Sequence, residues 1–427
     1  MKGSFLQRRE KKLFSFPHIK RNLAKRLAAA AAAGLTGLGG LAAASETVWA
    51  ANTPQPPQPQ SSQTENAGMP VEVPAKSAIL MEQSTGKVLC EMNADEQMPP
   101  ASITKIMTLL LVMEAVESGR LSVDETVSAS PHACSMGGSQ IWLEPGEQMS
   151  VRDLIKATAV ASANDASVAL GEQIAGSEEA FVDQMNQRAA ELGMSRTHFV
   201  NCTGLDAQGH LTTARDIAIM AKELIRHPMI REYSSIWMDS LRDGATQLVN
   251  TNKLVRFYDG ATGLKTGTTD GAGSCLAATA TRGGLSLVAV SLGSATSDER
   301  FTSCRRMLDY GFANYSLAQP PAMDDQFLPV KVLGGVQESV MPVSRQPEGI
   351  VVKKGEEKKL EQTLEIAPEV EAPVKKGQVI GNVVVRIDGK EVGRYAVEAA
   401  EDVPEMNFGT AFVRLLAAAV DFRDKTA

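Results

Sequence analysis

Cysteine and histidine are scarce, five of each in 427 residues. Cys90, Cys134, Cys202, Cys275 and Cys304 are scattered, with no C-x-x-C and no metal-ligand spacing. His132, His198 and His210 are isolated, which suits surface or hydrogen-bonded structural roles. Neither a metal nor an organic cofactor is implied. An odd cysteine count leaves at least one thiol unpaired within the chain, and burial as small hydrophobes is preferred over disulfides. Charge of one sign is lacking as well. The formal net charge is −7, with no basic stripe or aromatic-interleaved patch, so nucleic acid is not an expected partner.

A long uninterrupted apolar run is missing too. "LAAAAAAGLTGLGGLAAA" is short and rich in Gly and Ala. It follows the basic stretch "MKGSFLQRREKKLFSFPHIKRNLAKR", and "SETVWAAN" then supplies Val48 and Ala50 before a cleavage point. Residues 1–50 therefore read as a secretory signal peptide, which makes the protein extracytoplasmic; an uncleaved anchor is the competing reading. Arg8-Arg9 raises the twin-arginine route, but the pair lies far from the apolar segment, which favours the general pathway.

What is present falls into blocks. Residues 51–70 form a Pro/Gln-rich linker that cannot build a core. "SAILMEQSTGKVLCEMNADEQM" reads as a hairpin around Ser84-Thr85-Gly86. Helical patterns follow, including "SVRDLIKATAVASANDASVALGEQIA", "SEEAFVDQMNQRAAELGM" and "TTARDIAIMAKELIRHPMI". Then come three β-type runs, "GATGLKTGTT", "GSCLAATATRGG" and "LSLVAVSLGS", and a closing helix, "DERFTSCRRMLDYGFANY". Residues 71–318 are thus expected to be an α+β domain with an antiparallel sheet. Residues 319–403 alternate and carry turn signals such as Asp388-Gly389, the mark of a small all-β domain. In the tail, 404–427, an amphipathic helix puts Phe408, Phe412, Leu415, Leu416, Ala419 and Phe422 on one face. Packing on the β domain and docking on a membrane surface are both open for it.

The chemistry begins in "PPASITKIMTLLLVMEAV", where Ser102 and Lys105 head a very apolar helical run. Positions i and i+3 share a helix face. A lysine that close to a core either snorkels to water or carries a lowered pKa. A neutral lysine can take the proton of a serine hydroxyl and make it a nucleophile. Alone, S-x-x-K is a common chance pattern. Two further clusters strengthen it. "ASAND" sets Ser162 and Asn164 within an apolar helical stretch, where polar groups need partners. "GLKTGTT" sets Lys265, Thr266 and Gly267 at the start of a β-run, where a substrate backbone can pair along an edge free of side chain at Gly267. Like-charge repulsion from Lys265 would help keep Lys105 neutral.

S-x-x-K, S-x-N and K-T-G, about sixty and a hundred residues apart, resemble the signature of penicillin-binding proteins and class A β-lactamases. With "GGSQIWLEPGE", "NCTGLDAQGHLTTARDIA", "GLKTGTTDGAGSCLAATA" and "DYGF", the chain resembles the low-molecular-mass penicillin-binding proteins, serine-type D-alanyl-D-alanine carboxypeptidases, over roughly 72–427. The resemblance implies a transpeptidase-type α+β fold. Its substrates would be peptidoglycan stem peptides ending in D-Ala-D-Ala, and β-lactam antibiotics would bind covalently. It also implies roles: Ser102 as nucleophile, Lys105 as acylation base, Ser162 as proton relay, Asn164 as a substrate-amide ligand, Lys265 as electrostatic anchor. Thr266 would help hold the terminal carboxylate, and the N–H groups of Ser102 and Thr268 would form the oxyanion hole. Arg300 would be a second carboxylate anchor; a surface arginine at a helix N-terminus is the other reading. Arg215-Asp216 is expected as a structural ion pair.

The chain departs from the family pattern at Ala163, at Thr268, where relatives carry His or Tyr, and at Cys202, where Pro is usual. A class A β-lactamase would need a deacylating glutamate of E-x-x-L-N type, and "NCTGLDAQGH" offers none. Cleavage of cross-links as an endopeptidase stays open beside carboxypeptidase action.

Overall fold

The computed structural model describes residues 68–414 apart from 348. The leader, most of the linker and residues 415–427 of the tail lie outside the described residues.

Period-two alternation of apolar residues on two faces builds the central sheet. In Leu285–Ser294, Val288, Val290 and Leu292 bury to one side, and Leu287 and Ala289 to the other. Ile79 and Met81 against Ala78 and Leu80 do the same in Ser77–Glu82. A sheet apolar on both faces needs cover on both. Its five strands run Val88–Met92, Ser77–Glu82, Leu285–Ser294, Gly273–Arg282, Ala261–Thr269, every neighbour antiparallel. The hairpin and the three β-runs are where the sequence places them. Ala261–Thr269 lies at the edge.

The last helix, Ser297–Asn314, covers one face with Phe301, Cys304, Leu308 and Phe312. It starts at a reciprocal cap: the Glu299 N–H donates to the Thr296 hydroxyl, and the Thr296 N–H donates to the Glu299 carboxylate. Gly311 lets it sit down: a Cβ there would lie 2.6 Å from Leu287 Cδ1. The other face carries the larger helical layer, with Lys105–Glu117 in its middle. Ile106, Leu110 and Val112 are fully enclosed, each large side chain contributing on the order of 1.5–3 kcal/mol. Ser177 and Thr213 cap Glu178–Glu191 and Ala214–Ile225.

One expected helix is not continuous. Val151–Lys156 passes into a π-turn at Ala157–Ala161, Ser162 is left-handed (φ 64°) and Ala163 extended, and a new helix runs Asn164–Ala175. A π-turn leaves one residue more per turn, and here the surplus ends in the reversal at Ser162. The expected Arg215–Asp216 pair is also absent: Arg215 pairs with Glu91 and Asp95, and Asp216 accepts from Thr197 and the Arg196 N–H. Adjacent residues at a helix start point apart, so each reaches a different neighbour.

Beyond Asn314 the chain is mainly β, with 3-10 turns at Asp324–Gln326 and Glu357–Lys359 and a helical stretch at 408–414. Pro342–Ser344, Lys390–Ala399, Val379–Ile387 and Glu361–Ile366 form one antiparallel sheet. Asp388 and Gly389, both at positive φ, make its tight turn. Tyr315–Ala318 already pairs with Ile350–Lys353, so β pairing begins before residue 319. All five cysteines are free, four of them buried.

Candidate active site

Ser102 sits in a one-turn 3-10 helix, Ala101–Thr104, that passes into the α-helix at Lys105. In 3-10 geometry i and i+3 eclipse, which sets the lysine beneath the serine. Lys105 Nζ is 3.2 Å from Ser102 Oγ, 2.6 Å from Asn164 Oδ1 and 2.7 Å from the Thr203 carbonyl. The side chain is wholly enclosed, and burial pushes its pKa from 10.5 down to about 7. Lys105 does not snorkel. A neutral amine has two N–H bonds and one lone pair. Asn164 Oδ1 and the Thr203 carbonyl can only accept, so they take both N–H bonds and the lone pair is left facing the Ser102 hydroxyl.

Asn164 is fixed by its own second bond, Nδ2 to the Gly137 carbonyl at 2.6 Å. Beside it Ser162 Oγ accepts from Lys265 Nζ at 2.8 Å. Lys265 is buried, and its pKa falls well below the usual value, first through burial and then through the cations of Lys105 and Arg300. Burial is the largest cause for each lysine, and repulsion between them disfavours their being charged together.

Gly267 has a reason beyond an open edge. A Cβ there would lie 3.0 Å from the Ser102 nitrogen and 3.1 Å from that of Ile103. The bare strand therefore presses directly on the backbone that carries Ser102. Thr266 Oγ1 donates to Thr251 Oγ1 at 2.6 Å, so its hydroxyl is engaged inside the protein. The hydroxyl facing the site's cation is that of Thr268, which accepts from Arg300 Nη1 at 2.7 Å. The same nitrogen donates to the Gly267 carbonyl at 3.0 Å. Arg300 is 8% exposed, which overturns the surface-arginine reading. Its Nε is buried without a partner, and burial lowers its pKa. Among the described residues no carboxylate pairs with Lys105, Lys265 or Arg300.

Four groups that finish the site lie in the segments "ASAND" and "NCTGLDAQGHLTTARDIA", where little in residue type or spacing reveals their individual roles. The Thr203 carbonyl is aimed by Asn201, whose Oδ1 accepts from the N–H groups of Thr203 and Gly204. Gly204 sits against Ala101, where a Cβ would lie 1.8 Å from the Ala101 oxygen. Buried Asp165 accepts from the N–H groups of Ile141 and Leu143, tying the Gly137 loop down beside Asn164. His210 accepts at Nδ1 from the Val200 N–H, so its Nε2–H donates to Thr104, whose hydroxyl donates to the Ala101 carbonyl. A hint exists only for Asp165, an acid in the first turn of a helix. Cys202 also has a use: its N–H donates to Glu178, which proline cannot do.

Two family profiles match the chain. The one described as D-alanyl-D-alanine carboxypeptidase covers residues 61–296. The one described as penicillin-binding protein 5, C-terminal domain, covers 315–405. The chain is 43% identical over 346 residues to D-alanyl-D-alanine carboxypeptidase DacF of Bacillus subtilis, spanning 80% of this chain and 89% of that protein. It resembles the structure of penicillin-binding protein 5 from Haemophilus influenzae, with a TM-score of 0.72 and 30% identity over 79% of this chain and 99% of that one. Penicillin-binding protein D2 of Listeria monocytogenes, solved in the ampicillin-bound form, matches with a TM-score of 0.52 and 36% identity over 57% of this chain and 99% of its own. The chain belongs to the D-alanyl-D-alanine carboxypeptidase family of low-molecular-mass penicillin-binding proteins, and it is a serine-type hydrolase.

Proposed function

We propose that Ser102 is the acylated nucleophile of this carboxypeptidase and Lys105 the base that takes its proton. The observation that carries this is Lys105 Nζ at 3.2 Å from Ser102 Oγ, with Asn164 Oδ1 and the Thr203 carbonyl placed to take its two N–H bonds. The substrate is a peptidoglycan stem peptide ending in D-Ala-D-Ala. Its terminal carboxylate binds between Arg300 and Thr268, with Lys265 nearby, and supplies the negative charge that this cluster of buried cations lacks. That charge favours protonation of Lys265 and leaves Lys105 neutral. Thr266 acts through Thr251 as support for the strand. The N–H groups of Ser102 and Thr268 stabilise the tetrahedral oxyanion. Asn164 orients the substrate amide with its remaining N–H.

In the reaction Ser102 Oγ bonds the penultimate carbonyl as its proton passes to Lys105. The C–N bond then breaks as the proton taken by Lys105 passes, with Ser162 as relay, to the departing D-Ala amine, which leaves Lys105 neutral again. Water attacks the ester and gives a proton to Lys105, and collapse of the intermediate returns that proton to Ser102 Oγ as the shortened peptide leaves. β-Lactams acylate the same oxygen, and the amine released when the lactam C–N bond breaks stays tethered to the acyl group, which makes deacylation slow. A class A β-lactamase reading lacks its glutamate.

Residues 71–318 carry this chemistry, and 319–403 form the β-rich domain. Phe408 and Phe412 are 87% and 53% exposed and stack on each other, and Val413 is 64% exposed. Their exposure supports a tail, 404–427, that docks on a membrane surface outside the cytoplasm. Among the described residues no helix is long and apolar enough to cross a membrane.

The test is D-Ala release from a model peptide ending in D-Ala-D-Ala. Wild type should release it and Ser102→Ala should not. Release by the variant at the wild-type rate would refute the assignment. Wild type that cleaves only cross-linked dimers would make the protein an endopeptidase.

A further inference from the structure

Seven non-glycine residues among those described hold positive φ. Asn93, Asp243 and Asp388 are of types that tolerate it. Ala101 and Ser162 flank or form the catalytic cluster. Trp142 (φ 60°) and Arg242 (φ 52°) remain, and they meet each other. Bulky residues persist in this region only where the surroundings impose it, and such strain marks functional places.

The surroundings do impose it at Trp142. Asp165, next in sequence to Asn164, accepts from the N–H groups of Ile141 and Leu143 at 3.2 and 3.0 Å. From the other side Arg242 donates to the Ile141 and Trp142 carbonyls, and Glu147 holds Arg242 with both oxygens at 2.8 and 3.0 Å. Two charged clamps thus fix the backbone on both sides of one residue. The side chain so fixed does not enter the core: Trp142 is 74% exposed. It borders a shallow depression of about 540 Å³ whose other lining includes Glu144, Glu147 and Arg242. A core role and a capping role are both ruled out by that exposure.

Contacts order the site from end to end. Arg300 touches Thr268; Gly267 lies against Ser102; Ser102 meets Lys105; Lys105 bonds Asn164; and Asn164 bonds Gly137, five residues before Trp142. A substrate with its carboxylate at Arg300 and its penultimate carbonyl at Ser102 sends its amino end past Asn164 toward this loop. On a stem peptide that end carries the saccharide. A rigid, flat indole face bordered by carboxylate and guanidinium groups suits a pyranose, whose C–H faces are apolar and whose rim is hydroxyl. A peptide backbone is served instead by the sheet edge.

We infer that Trp142 is a saccharide platform, through which the enzyme prefers stem peptides still attached to their glycan over free peptides. The inference rests on the carboxypeptidase reading. The experiment compares kcat/KM for D-Ala release from a free pentapeptide and from the same pentapeptide carrying its disaccharide. Wild type should favour the disaccharide substrate, and Trp142→Ala should reduce that preference by about 5- to 10-fold, the range of an aromatic stacking contact. Trp142→Phe should keep most of it. Trp142→Gly should lose it too while melting no lower than wild type, since glycine relieves the left-handed backbone; this separates lost recognition from damaged folding. An equal change on both substrates, no change on either, or a larger loss on the free peptide would overturn the platform. Wild type inert on both substrates would instead refute the carboxypeptidase reading, and the inference with it.

Discussion

At the scale of single residues, the chemistry turns on one amine. Lys105 is neutral above about pH 7 because burial penalises its charge, and among the described residues no carboxylate is bonded to it. Two consequences follow for pH. The fraction of enzyme with a usable lone pair grows through that value, so the acylation rate constant should rise through pH 7 and level off above it, as stopped-flow acylation by a penicillin would show. A rate flat from pH 5 to 9 would contradict this. For stability the sign is opposite to that of a paired lysine. Between about 7 and 10.5 the unfolded chain carries a proton that the folded chain does not, so this group makes the protein more stable as pH rises through that window. The depressed pKa of Lys265 acts in the same direction.

At the scale of elements, much of the architecture is legible in the sequence. The hairpin, three edge-to-centre strands and the capped last helix follow from alternation and punctuation, because one face or both must be buried. The Ser162 break is not legible. "LIKATAVASANDASVAL" has helical apolar spacing throughout, and what stops it is tertiary: the Ala163 N–H goes back to the Ala157 carbonyl, and the Asn164 N–H goes to the Ser139 carbonyl in another loop. Ser102, Lys105 and Lys265 can be read from spacing, whereas the Thr203 carbonyl cannot, since every residue has one. Thr266 reads from its motif as facing the substrate, and alternation sets it on the same strand face as Thr268, yet its hydroxyl is taken up by Thr251. Gly204 gives this level its prediction. Gly204→Ala should cost about 1–3 kcal/mol as overpacking against the Ala101 oxygen. It should also slow acylation markedly, because the displaced carbonyl adjoins the Ser102 N–H. Gly209→Ala, also at positive φ but with nothing within 4 Å of the added carbon, should destabilise by only about 1 kcal/mol and leave acylation intact. Urea unfolding and acylation rates measured on both variants decide it.

At the scale of the molecule, the catalytic cluster is assembled entirely from elements before residue 315. The β domain still touches that part of the chain, through Lys87 Nζ to the Val351 carbonyl at 3.0 Å and through Val351 in the core beneath the last helix. A chain ending at Asn314 should therefore acylate at the wild-type rate but melt lower, by about 2–4 °C for each kcal/mol of stabilisation that the β domain supplies. Loss of acylation with the fold retained, seen by circular dichroism, would mean that the β domain shapes the site.

The claim beneath all of this is that Ser102 oxygen becomes an ester. Mass spectrometry of the intact protein after exposure to a penicillin, followed by peptide mapping, reads it directly. The expected result is one adduct on the peptide containing Ser102 and none on the Ser102→Ala protein. An adduct that persists in the variant, or that maps to another residue in the wild type, would contradict it.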